Sequence, residues 1–186
     1  MTLPAPTTER QPLHSREIQV QGYKRADGLY DIEAHLIDRK AIDFRLASGL
    51  RPAGEPVHDM WLRITVNAAL EIVDASASTD AMPYVGDCDQ ITPAYRQLTG
   101  MSIRPGFTAL VRQRFSGTSG CTHLTDLIGI AATTAFQTLA GQSAADPDRK
   151  PHQLDRCHAL KTNAPAVSKY YPRWFRKSGP EAGEAG

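Results

Sequence analysis

Residues 16–44, REIQVQGYKRADGLYDIEAHLIDRKAIDF, decide the fold. Apolar and polar side chains alternate on both sides of Ala26-Asp27-Gly28, and an Asp-Gly pair between two alternating runs is a strong hairpin signal. In the second run Tyr30, Ile32, Ala34 and Leu36 face one side, and Asp31, Glu33, His35 and Ile37 the other. A period of two means strand, because successive side chains leave a pleated backbone on opposite faces.

Outward from this hairpin, SGLRPAGEPVHD (48–59) reads as a loop rich in Gly and Pro. MWLRITVNAALEIVDASAST (60–79) reads as a second strand pair. Trp61, Ile64 and Val66 are β-formers, Asn67-Ala68-Ala69 makes the turn, and Leu70 to Ala77 returns. The period then changes. Thr92 is predicted to cap a helix with Pro93 at its first position, and TPAYRQLTG ends at Gly100. Gly106 to Phe115 is predicted as a short helix with Phe107, Leu110 and Val111 on its apolar face. A longer helix is predicted from Thr122 to Leu139, with a stripe of Leu124, Leu127, Ile128, Ala131, Ala135 and Leu139. Asp146 to Lys150 is a polar break, and KYYPRWFRK closes the domain with Trp174 and Phe175 as core plugs.

Strands followed by helices define an α+β class: an antiparallel sheet of three to five strands in the N-terminal half, packed by C-terminal helices. The expected organisation is a flexible arm over residues 1–14, one α+β domain over 15–177 and a disordered tail over 178–186.

Composition narrows the function classes. The 186 residues are 41% hydrophobic and 22% charged, enough apolar matter for a core, and the net charge is +1. No global positive field points to nucleic acid, and the basic aromatic run KYYPRWFRK is too short to argue otherwise. No run reaches the roughly 18 apolar residues of a membrane span, and the N-terminus carries no apolar signal core. A cytoplasmic protein is expected. Its three cysteines, Cys88, Cys121 and Cys157, then serve as buried hydrophobes, ligands or nucleophiles rather than disulfide partners. There is no GxGxxG, no Walker loop and no GxSxG elbow, so dinucleotide, nucleoside-triphosphate and α/β-hydrolase serine chemistry have no support.

Histidines and cysteines carry the remaining signal. His14 lies in the arm and His152 in the polar break, where both are expected to be solvated. Cys157-His158 points two adjacent side chains apart, and Cys157 is expected as a buried thiol. His58, Cys88, Cys121 and His123 differ, because each falls at the end of an element, where side chains can converge without being consumed by packing. A thiol at a helix start also meets the positive end of the macrodipole, which favours a metal-binding thiolate. These four are the candidate metal ligands.

Residues 54–100 and 119–136, GEPVHDMWLRITVNAALEIVDASASTDAMPYVGDCDQITPAYRQLTG and SGCTHLTDLIGIAATTAF, resemble iron–sulfur scaffold proteins of the NifU/IscU type. Those proteins share the order of strand, return strand, Gly-Cys, helix and a later Cys opening a long helix. The resemblance places His58 at the first ligand position, Cys88 at the second and Cys121 at the third. It implies an IscU/NifU-like fold. The chain departs from the scaffolds by replacing one thiolate with His58, by adding His123 and by lacking their Leu-Pro-Pro-Val-Lys type segment. Mixed His/Cys ligation favours one tightly held zinc or iron(II) ion over a transferable cluster. With GYKRADGLYDIEAHLIDRK at the front and YYPRW at the end, most of residues 16–176 resembles more closely a bacterial family known only as domain of unknown function 2889. That resemblance implies bacteria that degrade aromatic compounds, and hence an aromatic substrate.

The functional expectation is a metal-dependent enzyme acting on a small organic substrate. A lyase is preferred, by retro-aldol or deformylating C–C cleavage or by decarboxylation, because those steps need only a metal and a base. His35, Asp59 or Tyr84 would move the proton, and Arg25 or Arg63 would hold a substrate carboxylate. Two alternatives stand beside it: a scaffold or carrier for a cluster or metal, and a structural zinc domain closed by all four ligands. Partners are expected to be a small molecule, with no nucleic acid and no membrane; homo-oligomerisation is compatible with each reading.

Overall fold

Strand β1 (His14–Lys24) turns at Asp27-Gly28 into β2 (Tyr30–Lys40), and the two pair antiparallel from His14↔Lys40 to Lys24↔Tyr30. The turn closes through the Arg25 N–H to the Leu29 carbonyl at 2.9 Å, and Gly28 sits at φ +84°, where a side chain would be strained. This computed structural model describes residues 3–140, 148, 150–151 and 153–177. The chain divides into two compact units, residues 1–140 and 141–186.

The first unit is α+β. Its four-stranded antiparallel sheet has the order β1-β2-β5-β6, with β5 spanning Pro56–Val66 and β6 Ile72–Ala81. The connection expected as a loop contains a small hairpin, β3 (Phe44–Leu46) and β4 (Gly49–Arg51). It also ends earlier than its Gly and Pro content suggests. Pro56 is the first residue of β5, a position where a missing N–H costs no ladder bond, so His58 and Asp59 are strand residues rather than loop residues. His14, placed in the arm by sequence, likewise belongs to β1; residues 3–13 before it are exposed.

Helix α1 spans Phe107–Phe115 and α2 spans Thr122–Leu139, as their spacing predicts. The buried face of α1 is Phe107, Val111 and Phe115, so Leu110 is turned out to solvent. The segment expected as an α-helix from Thr92 is a 3-10 helix over Cys88–Leu98. Thr92 gives its hydroxyl to the Asp89 carbonyl at 2.9 Å, and Pro93, with no N–H to donate, lies inside the helix rather than at its start.

Tyr30, Ile32, Ala34 and Leu36 of β2 join Met60, Leu62, Ile64 and Val66 of β5 on one face of the sheet, all buried. Leu124, Leu127, Ile128, Ala131 and Ala135 of α2 complete this core, while Leu139 is only partly buried. The helix packs on β1, β2 and β5. It passes close to Gly22, where an added Cβ would overlap the Thr138 side chain. Thr138 near Gly22 and Asp126 near Arg16 show that α2 runs alongside β1 in the same direction.

The residues expected as one domain, 15–177, fall within both units. In the second, Leu154 and Val167 are buried, and α3 (Pro165–Tyr170) follows a turn in which Asp155 accepts from the Thr162 N–H at 2.8 Å. Trp174 and Phe175, expected as core plugs, are half-buried, and Cys157, expected as a buried thiol, is exposed. His152, most of the polar break and the tail from residue 178 lie outside the described residues.

Candidate metal centre

The alternation of β2 does not stop at Leu36. The next side chain on the apolar face is Asp38, and it is as buried as the residues before it, at 1% exposed. Its partner in the register is His58 of β5. The two sit at a point where the β2–β5 pairing shifts, between Asp38 and Arg39, so the strands diverge just beyond them. The N-terminal turn of α2 lies over this end of the sheet and brings His123 to the same place.

The geometry is that of three donors around one point. His58 Nδ1 lies 3.1 Å from Asp38 Oδ2, and His123 Nε2 lies 3.5 Å from the same oxygen. The three ligand atoms are all within 4.8 Å of one another. The imidazole rings of His58 and His123 face each other at 3.8 Å between centroids, tilted by 32°. A cation held about 2.0–2.2 Å from nitrogen and oxygen donors sets neighbouring donors roughly 3.0–3.5 Å apart, which is the spacing of both imidazole nitrogens from Asp38 Oδ2. Two imidazoles and one carboxylate are the donor set of open divalent sites, including those of non-haem iron(II). The residues present therefore fit a single zinc or iron(II) ion.

Protonation states agree with that use. Burial pushes His58 below the ordinary imidazole range, more than the nearby Asp38 raises it. His123 is lowered by burial and then by His58. Neutral imidazoles keep a lone pair for a cation. Burial alone would raise the Asp38 carboxyl, but Arg16 overcomes it and holds the group below its usual value, ionised. Arg16 does so side-on, Nε to Oδ1 at 2.8 Å and Nη2 to Oδ2 at 2.9 Å. His14 Nε2 completes the cluster, 3.4 Å from Asp38 Oδ1.

Cys121 is the N-cap residue of α2, and its side chain makes no capping bond. The helix start is instead tied by the buried Tyr95 hydroxyl, which accepts from the Cys121 N–H at 2.9 Å and lies 2.9 Å from both the Cys121 carbonyl and Thr125 Oγ1. The Tyr95 ring stacks on Phe115 at 4.8 Å. These contacts fix the first turn of α2, and with it His123, over the sheet. The Cys121 sulfur lies 3.8 Å from His123 Nδ1 and 3.9 Å from Met60 Sδ, beside the donor set rather than within it. It is placed to hold the His123 ring through the nitrogen that faces away from Asp38. Cys88, half-buried at the start of the 3-10 helix, does not join the set.

Two of the expected proton carriers, His35 and Asp59, are on the other side of the sheet. His35 and Asp59 do meet, Nε2 to Oδ1 at 2.6 Å, and His35 stacks on Trp61 at 3.7 Å. By strand parity, however, Ile37 and Asp59 occupy the face opposite Asp38 and His58, so neither member of this pair reaches the donor set. Tyr84 is exposed in the loop before the 3-10 helix. Arg63 pairs with Glu33 on the same outer face as His35, at 2.8 Å. Arg25 pairs with Asp27 and Asp31 at the hairpin turn, eight residues of strand from Asp38, or about 27 Å away. The arginine at the cluster is Arg16.

An α+β sheet-and-helix domain with a buried carboxylate and two imidazoles at one end of the sheet is the class that the structure defines. Over residues 14–137 the chain matches the model of the family described as a protein of unknown function (DUF2889), and it belongs to that family. No curated protein and no solved structure gives a significant match. Among the described residues no helix is long and apolar enough to cross a membrane.

Proposed function

We propose that this protein is a metal-dependent enzyme that holds one zinc or iron(II) ion on Asp38, His58 and His123 and acts on a small organic, aromatic substrate. The observation that carries the reading is the convergence of those three donors from β2, β5 and α2 within 4.8 Å of one another. Three protein ligands leave coordination positions for water or substrate, the arrangement of catalytic rather than structural ions. The bound ion would supply Lewis acidity toward a substrate hydroxyl or carbonyl oxygen. Lyase chemistry, C–C cleavage of the retro-aldol or deformylating kind or decarboxylation, remains the preferred reaction. His14, with a side chain 40% exposed beside Asp38, is the imidazole positioned to pass a proton between the site and solvent.

Elemental analysis of the purified protein tests this directly. About one zinc or iron per chain is expected, lost in Asp38→Asn and His123→Gln and retained in His35→Gln. A metal-free wild type that still turns over substrate would end the reading.

The resemblance to iron–sulfur scaffolds supports a second reading, a cluster or metal carrier, through the Cys121 sulfur beside His123. Acid-labile sulfide in the isolated protein favours the carrier; one ion without sulfide favours the enzyme. A structural zinc requires a fourth protein ligand, and His14 and Cys121 are the side chains beside the three donors.

A further inference from the structure

Arg16 has more hydrogen-bonding capacity than its ion pair uses. Its Nε and one Nη2 hydrogen are committed to Asp38, and Nη1 makes one long contact, 3.4 Å, to Oδ2 of Asp126. A guanidinium carries five N–H donors in a rigid fork, so the edge formed by Nη1 and the second Nη2 hydrogen is engaged only at that long distance. The edge is reachable: the Arg16 side chain is 35% exposed and that of Asp126 52%. Asp126 lies three residues after His123 on α2, so the edge sits next to the metal donors and not at a remote surface.

The charge balance of the cluster points the same way. Asp38 and Arg16 already neutralise each other. Adding a divalent cation to this partly buried group leaves a surplus of positive charge that Asp126, half in solvent, meets only weakly. A buried surplus is costly unless an anion joins it. Arg25 and Arg63, the other arginines considered for substrate, are each held by carboxylates elsewhere.

We propose that the Nη1/Nη2 edge of Arg16 is the oxyanion position of the site, taking a carboxylate or phenolate oxygen of the substrate in the place where the Asp126 carboxylate now makes its single contact. The proposal rests on cation binding at Asp38, His58 and His123. The substrate is then an organic anion, held side by side with the metal through the shared Asp38 carboxylate.

The test uses full-length protein loaded with zinc, its metal content measured first. Benzoate, 4-nitrophenolate at alkaline pH and neutral benzamide are titrated by calorimetry. One or both anions should bind and benzamide should not, and the tighter anion identifies the oxygen type. Arg16→Met should weaken that anion at least about tenfold with zinc retained. Arg16→Lys, which keeps the charge without the fork, should fall in between, and Asp126→Asn should tighten binding by freeing the edge. A wild type that takes up no zinc or iron overturns the metal reading itself. Normal zinc uptake with neither anion tighter than benzamide, or with Arg16→Met and Arg16→Lys binding the anion as wild type does, overturns the oxyanion position alone.

Discussion

Asp38 and His58 stand directly opposite each other on adjacent antiparallel strands, carboxylate oxygen to imidazole nitrogen at 3.1 Å, on the face that otherwise buries Leu36 and Met60. A buried carboxylate at the end of an apolar stripe is a costly use of core surface, and function accounts for it better than stability does.

That pairing makes ligand substitutions separable. Asp38→Asn should lose zinc affinity by at least about a hundredfold and also destabilise the fold by about 1–3 kcal/mol, since Arg16 loses its ionic partner. Cys88→Ala should keep wild-type affinity. Calorimetric zinc titration with urea unfolding of the same samples checks both; equal losses in the two variants would put Cys88 among the ligands, and an undiminished affinity in Asp38→Asn would remove Asp38 from them.

Tyr95→Phe removes one oxygen atom and leaves the Cys121 N–H without its partner. The expected cost is about 1–2 kcal/mol, with a smaller loss of metal affinity as the first turn of α2 loosens over the sheet. Hydrogen exchange of the Cys121 and Thr125 amides should rise selectively; unchanged protection there would show that Tyr95 does not hold the helix start.

Chelator-treated protein should lose stability on mild acidification. His58 and His123 titrate near 6.5 when unfolded and lower when folded, so the unfolded chain takes up protons first as pH drops. Their contribution is full above pH 6.5 and is lost as pH falls from there through the folded values. The melting temperature should decline over that window, and the decline should flatten in a His58→Gln, His123→Gln double variant. A parallel decline in both proteins would assign it to other groups.

Gly22→Ala should destabilise by about 1–3 kcal/mol, because the new methyl group overlaps Thr138 and pushes α2 away from β1. Gly22→Ala with Thr138→Ala should recover most of the loss. Failure of that rescue, read by thermal melts, would place the strain elsewhere.

Much of the fold is legible in period alone. The β2 face, the hairpin at Asp27-Gly28 and the bounds of α2 follow from spacing, because long amphipathic elements state their period many times over. The segment before β5 is less legible: its Gly and Pro residues say loop, yet pairing with β2 extends the strand back to Pro56. The 3-10 helix escapes in type because Pro93 and Thr92 imitate a helix start. At the site, His58 and His123 stand out by residue type, while Asp38, Arg16, His14 and Tyr95 do not. For Asp38 the signal is present: continuing the parity of Tyr30, Ile32, Ala34 and Leu36 lands on it, although a carboxylate on an apolar face invites the assumption that the strand has ended. For Arg16 and His14 the signal is the β1–β2 register, and for Tyr95 and Asp126 it is the placement of the 3-10 helix and α2, neither of which one chain's local pattern records.

Two His–Asp pairs flank this sheet, one on each side, because His58 and Asp59 are neighbours in the chain that the pleat sends in opposite directions. The backbone between them is a partition a single peptide thick. Substitutions on the outer side leave the buried donor set behind it in place, whereas inserting one residue between Asp59 and Met60 would shift the pleat and exchange the faces of His58 and Asp59. Tolerance to substitution and intolerance to length change should therefore coexist within the same few positions.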